Sequence, residues 1–474
     1  MACGLAITLI SCTDEPRPAG PDGEKTPQPP AHPSQGAPGA GDPYYPNDGN
    51  GGYDALDYQV KISYDPSDGH LEGDSTLEAK ATQKLTRFNL DLRELEVDSV
   101  EVDGKPAEFR HTGEFELVIT PAEPIDDASE FTTRVRYQGT PGSNAQGGVG
   151  QLGWLKTESG ASYALGEPHS AAFWYPVNET PRDKATFQLS ARVPEGWIAV
   201  SGGREKGKAT KDGWTTYTWQ ETNPVASYLT TVAIDKFTID RSKLSNGVPV
   251  LSAYAPGAEN MRRVEANLDE VVRFLSKKFG PYPQTAAGGI YLSESIPFAL
   301  ETQGRPSYAN WADVRVVVHE YAHQWFGNSV SIKSWSDLCL NECFASYTEW
   351  LWHEAKDGAD LDELYRGDVS ANPPDSQFWA NKLHKMGVGK EFDGMYDKSK
   401  LAMHALRRKV GDQVFDRVLK EWPEAHRHGN ASWPEFERFV SERTDEDLGE
   451  FFDAWFRGDE RPPDEHLYPG KLRP

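Results

Sequence analysis

The sequence predicts a multidomain chain that keeps its β and α structure apart: an N-terminal all-β domain, then a mainly helical one. Three observations carry this expectation. At 474 residues the chain exceeds one ordinary domain and can bury more than one core. From about residue 53 to 243, apolar and polar side chains alternate with period two, as at Tyr58, Val60, Ile62 and Tyr64. Beyond Val248 the period becomes helical: Met261, Val264, Leu268, Val271, Val272 and Leu275 share one face, and Gly280-Pro281 supplies the stop.

The first twelve residues read as a targeting segment. The apolar run Ala2 to Ile10 ends in Leu9-Ile10-Ser11-Cys12, which resembles a bacterial lipobox, although no basic residue precedes it. On this reading Cys12 carries a lipid and the protein is extracellular, attached to the outer face of the cell membrane. Residues 13–52, rich in Pro and Gly (Pro16, Pro18, Pro21, Pro27, Pro29, Pro30, Gly49, Gly51, Gly52), cannot build a core and are expected to form a disordered linker.

Within the β domain, expected at 53–243, further strands are predicted at Phe115 to Ile119, Phe131 to Tyr137, Phe187 to Val193, Trp214 to Trp219 and Leu229 to Phe237, with a hairpin turn at Asp103-Gly104. The helical domain is expected at 244–465, with helices near 311–326, 337–355, 399–410, 434–442 and 446–457. No segment after the first is apolar enough to span a bilayer. With 49 basic against 73 acidic residues the formal charge is −24, which repels nucleic acid, so no nucleic-acid partner is expected.

The chemistry is concentrated in Val316-Val317-Val318-His319-Glu320-Tyr321-Ala322-His323-Gln324-Trp325-Phe326-Gly327. Two histidines four apart on a helix project from one face and reach one ion, and Glu320 beside them can accept a proton from a water that the metal activates. A catalytic zinc site takes three protein ligands and keeps one position open; Glu342, on a second predicted helix, supplies the third. With 12 His and 73 acidic residues, chance gives roughly 0.05 His-acid-x-x-His matches in such a chain, and roughly 0.01 with an acid also at the third position. One Zn2+ held by His319, His323 and Glu342 is the expected cofactor.

His-Glu-x-x-His, eighteen further residues and then Glu within Leu340-Asn341-Glu342 resembles the gluzincin family of aminopeptidase N and the leukotriene hydrolases, over about Tyr53 to Asp459. The resemblance implies a saddle- or sandwich-like β domain followed by a thermolysin-like catalytic domain, as in a short two-domain member. Phe298-Ala299-Leu300-Glu301-Thr302 matches the family's Gly-Ala-Met-Glu-Asn segment at Ala299 and Glu301, which implies that Glu301 pairs with the substrate's free α-ammonium. Met395-Tyr396-Asp397-Lys398 resembles Tyr-x-Lys-Gly, which gives Tyr396 the role of donor to the oxyanion. Gly166-Glu167-Pro168 resembles the strip that adds a second amine anchor; the family's own anchor position falls on Leu165, so Glu167 is the candidate. Cys339 and Cys343 replace the family's Trp and Gly, and stand open between a disulfide and two free thiols.

The function implied is hydrolysis of N-terminal residues from peptides with a free N-terminus. Two alternatives remain: a zinc endopeptidase without N-terminal restriction, with epoxide hydrolysis as a remoter variant, and a non-catalytic surface peptide-binding protein on a peptidase fold.

Overall fold

The computed structural model describes residues 34–146, 150–293 and 296–473. The lipobox-like segment and Cys12 lie outside the described residues.

The first region is built around the strand Tyr53–Asp65, whose predicted inward residues Tyr58, Val60, Ile62 and Tyr64 are all buried. It pairs antiparallel with His70–Ala81 and parallel with Ala185–Pro194 in the middle of an eight-stranded sheet. The sheet continues to Glu130–Gly139 and Glu96–Val102 on one side and to Trp214–Val225 and Arg204–Lys211 on the other. Asp103 and Gly104, at φ +50° and +72°, form the tight turn that the Asp-Gly pair predicts. Two smaller sheets complete the region, one of three strands with Glu116–Thr120 at its centre, the other of five including Ser162–Leu165 and Val232–Asp235.

The next strand, Thr238–Lys243, belongs elsewhere. It pairs with Pro249–Tyr254 and joins Ile290–Tyr291 and Ser307–Tyr308 in a four-stranded sheet. Sheet membership therefore changes between Asp235 and Thr238, ahead of the expected 243, because alternation identifies a strand but not its partner. Helices follow at Leu268–Phe279, Val314–Ala322, Cys339–Asp357, Leu361–Ala371, Lys398–Val410, Asp412–Ala425 and Trp433–Ser441. Those at Leu361–Ala371 and Asp412–Ala425 are additional to the predicted set; the second starts straight after Gly411 and carries Pro423 inside it, which hides it from a reading of breakers. The predicted 446–457 helix is a single α turn, Gly449–Phe452, running into a π turn over Asp453–Arg457. Among the described residues no helix is long and apolar enough to cross a membrane.

The linker expectation for 13–52 needs correcting over its described part. Residues 34–52 form a strap docked on both regions. Asp42 accepts a hydrogen bond from the Trp335 backbone N–H at 2.8 Å, and the Tyr44 hydroxyl accepts one from Gly387 N–H at 2.8 Å. At its other end Asp91 accepts from Gly49 N–H and the Asn50 side chain, each at 3.1 Å, and from Glu179 N–H at 2.8 Å. Composition weighs apolar content, whereas this segment is held by polar side chains meeting backbone groups.

Asp48 of the strap leaves Glu116 in acidic company: burial first, then the Asp48 charge, pushes the Glu116 carboxyl up to about 7. A carboxyl whose folded pKa is raised binds more protons folded than unfolded, so its contribution is full below about pH 4.5 and is lost as pH rises through about 7. Glu116→Gln should therefore stabilise the protein by about 1–2 kcal/mol at pH 8, after discounting for partial exposure, and by nothing measurable at pH 4.5. Thermal melts of both proteins across that range check it.

Candidate active site

Asp313 starts the helix Val314–Ala322 by accepting from the backbone N–H of Arg315 at 2.8 Å and of Val316 at 3.2 Å. Tyr321 ties the helix to the sheet region, its hydroxyl donating to Gly288 carbonyl and accepting from Gly288 N–H, both at 2.8 Å. After His323 the chain leaves the helix and passes Gly327 at φ +122°, where a Cβ would stand 3.2 Å from Asn341 Cγ and 3.4 Å from His323 Nδ1. That close approach, with the Phe326 and Phe344 rings stacked at 4.3 Å, lays the helix Cys339–Asp357 against the first one.

Glu342 then lies between the two imidazoles: its Oε2 is 3.3 Å from His319 Nε2 and its Oε1 3.4 Å from His323 Nε2. One ligand atom from each of the three residues falls within 4.8 Å of the others. The opposite ring nitrogens are already engaged, His323 Nδ1 with Phe326 carbonyl at 3.0 Å and His319 Nδ1 with Glu349 Oε1 at 2.9 Å. Both rings thus turn Nε2 toward Glu342, whose Oε2 is buried and makes no hydrogen bond. Two imidazoles and one carboxylate, oriented by outer partners and holding an orphaned buried oxygen, fit a zinc ion. Burial raises the Glu342 pKa, yet the neighbouring His323 and His319 outweigh it and hold the carboxyl below its ordinary value.

The remaining predicted residues come together around this triad, in a cleft of about 570 Å3 lined by Glu167, Ala299, Glu301, Glu320 and Tyr396 along with His319, His323 and Glu342. Glu320 lies with Glu301 and His323 in one group within 4.8 Å, and Glu167 with Glu301 and Glu342 in another. Leu165 is buried at the end of its strand and is absent from the lining; Glu167, two residues on, reaches the cleft. Burial first raises Glu167, Glu301 and Glu320 above the usual carboxylate range, and their carboxylate neighbours add to it, against the pull of His323 on Glu301 and of His319 on Glu320. Tyr396 keeps 45 % of its surface exposed to the open cleft, with its ring 6.0 Å from that of His319. Enclosure of the hydroxyl, then the facing carboxylates of Glu342, Glu167, Glu320 and Glu301, hold the phenol well above its ordinary value and so protonated.

Supporting residues escaped the sequence reading. Gln324 and Asn328, in the tail of the histidine motif, donate to the Glu301 carbonyl at 3.1 and 2.7 Å and fix the loop. The Tyr228 hydroxyl donates to Glu301 Oε1 at 3.2 Å and accepts from Asn341 at 3.3 Å. Buried Lys398 donates to the carbonyls of Trp379, Asn381 and Gly458, which fixes the turn carrying Tyr396. Lys400 donates to Glu349 Oε2 at 3.1 Å. Glu349 had a signal: it stands seven residues beyond Glu342, two turns along the same helix face. Cys339 and Cys343 form a disulfide across the first turn of that helix, with Cα atoms 4.7 Å apart, and Cys343 Sγ lies 3.6 Å from Met395 Sδ.

A histidine-pair helix, a glutamate helix and a β-rich N-terminal region define the two-domain metallopeptidase class. Residues 54–229 match the Peptidase M1 N-terminal domain and residues 289–455 the Peptidase family M1 domain. The chain belongs to peptidase family M1. It resembles the M1 zinc metallopeptidase from Deinococcus radiodurans with a TM-score of 0.84 and 29% identity, covering 92% of this chain and all of that one. It is 28% identical over 402 residues to the probable aminopeptidase 1 of Saccharolobus solfataricus, which covers 78% of this chain and 49% of that protein. Aminopeptidase N of Lactobacillus helveticus is 24% identical over 443 residues, 84% of this chain and 50% of that protein. The chain thus spans about half the length of these two relatives.

Glu349→Ala should weaken zinc retention by about 10- to 100-fold, since His319 loses the acceptor that fixes its tautomer. Competition against a metallochromic chelator measures this, and an unchanged affinity would remove Glu349 from the metal site.

Proposed function

We propose that the protein is a zinc aminopeptidase that removes N-terminal residues from peptides. The observation that carries this is the pair Glu167 and Glu301, two buried carboxylates grouped beside the metal triad, with no ion pair to any Lys or Arg among the described residues. Such a pair is costly unless a cation arrives, and a peptide α-ammonium is a cation of the right size.

A zinc ion held by His319, His323 and Glu342 would act as a Lewis acid, making water nucleophilic near neutral pH and polarising the peptide carbonyl. The chain's own residues do the rest. Glu167 and Glu301 fix the ammonium and thereby decide which peptide bond reaches the triad. Glu320 takes the proton of the attacking water and passes it to the leaving amine nitrogen. Tyr396, kept protonated, donates its O–H to the oxygen that gains charge in the transition state.

The lipobox-type ending at Cys12 and the Cys339–Cys343 disulfide, a bond suited to an oxidising compartment, support a further part of the proposal: display outside the cell on a lipid anchor. The −24 charge weighs against a nucleic-acid partner and names no substrate.

An aminoacyl chromogenic amide and its N-acetylated twin test the proposal directly. The free amine should be cleaved at least about 100-fold faster, with activity lost to a chelator and restored by zinc. Equal cleavage of both would favour an endopeptidase, and no cleavage of any aminoacyl amide would favour the peptide-binding reading. Glu320→Gln should lower kcat by about 10^3 or more with zinc still bound, and Tyr396→Phe by about 10^2. Zinc content by elemental analysis alongside the kinetics separates loss of the base or donor from loss of the metal.

A further inference from the structure

The cleft lining carries six carboxylates, from Glu167, Glu301, Asp313, Glu320, Glu342 and Glu349, and among the described residues only one Lys or Arg, Arg315. Arg315 sits in the first turn of the helix Val314–Ala322, where the helix dipole disfavours a cation, so helix stability does not account for it. Its side chain is 69% exposed, with Nε and Nη2 at 3.3 and 3.2 Å from Asp313 Oδ2. Nη1 makes no hydrogen bond among the described residues. Asp313 is itself fixed by capping the helix, so it braces the guanidinium while leaving donors for another acceptor.

Arg315, His319 and His323 recur every four residues and follow one side of the helix. His323 groups with Glu301, so the ammonium end of the cleft lies at that end of the helix, and Arg315 lies at the other, about 12 Å away along the axis at about 1.5 Å per residue. An extended peptide covers about 3.3 Å per residue, so three residues anchored at Glu301 span about 10 Å and bring the carboxyl end of the third within reach of the long Arg315 side chain.

We infer that Arg315 is a specificity-determining residue that receives a substrate carboxylate carried about three residues from the N-terminus. The carboxylate is either the α-carboxylate of a tripeptide or an acidic side chain at the same depth. The inference rests on the aminopeptidase reading, which sets the end of the peptide that meets Glu301. Elsewhere along this cleft a substrate carboxylate meets like charge, so the same geometry selects for its position.

The test compares kcat/KM for Ala-Ala-Ala, its C-terminal amide, and the amide of Ala-Ala-Asp, using the wild-type protein, R315Q and R315K. The wild type should prefer a carboxylate-bearing peptide over the neutral amide by about five- to tenfold. In R315Q that ratio should fall to near one; R315K, which keeps the charge but loses the planar fork, should retain part of it. Collapse for Ala-Ala-Ala identifies the terminal carboxylate, and collapse for the Asp amide identifies the side chain. No preference in the wild type, or a ratio unchanged in R315Q, overturns the inference. N-acetyl-Ala-Ala-Ala, run alongside, separates the two layers: cleavage as fast as the free amine refutes the amine anchor and the register built on it. Retained free-amine selectivity with an unmoved ratio refutes Arg315 alone.

Discussion

The contact between two helices at Gly327 governs the site. Without a side chain there, the strand of chain leaving His323 comes close to Asn341, and the helix bearing Glu342 settles against the helix bearing His319. From that approach follow the Glu342 oxygens at 3.3 and 3.4 Å from the two imidazoles and the placing of Glu349 against His319. The amine end depends on the same seam. Asn341, facing Gly327, also donates to Tyr228, whose hydroxyl reaches Glu301, so one inter-helix contact sets both the metal ligands and the anchor beside them.

Electrostatics gives the seam its purpose. The cleft gathers the buried carboxylates of Glu167, Glu301, Glu320 and Glu342, none of which pairs with a lysine or arginine among the described residues, an arrangement that costs folding free energy and is retained where a function needs it. Polar groups around them make the arrangement tolerable. Gln324 and Asn328 tie down the backbone of Glu301, and Lys398 spends its buried charge on three carbonyls that hold the turn of Tyr396.

The metal triad was legible because its ligands come in two short local patterns, a helical i, i+4 pair and a single acid on the next helix. The β region was legible because alternation over Tyr58 to Tyr64 survives folding as alternating burial. Tyr228 was not, and the supporting roles of the motif residues Asn341 and Lys398 were not, since each acts through a partner more than 15 residues distant and no periodicity marks it. Thr238–Lys243 illustrates the same limit: its strand character is local, its sheet membership is not. The helix Asp412–Ala425 was obscured by Gly411 at one end and Pro423 near the other, two residues that read as breakers, although Pro423 falls in the last turn and removes a single helical N–H donor.

The strap over residues 34–52 changes where the folded body begins. Composition places that start at Tyr53, yet Asp42 and Tyr44 bind backbone groups at Trp335 and Gly387, and Asp91 holds Gly49 and Asn50. A chain cut at Tyr53 would leave two backbone N–H groups of the helical region without their acceptors and uncover the acidic pocket of Asp91. A soluble form should therefore begin no later than Ser34.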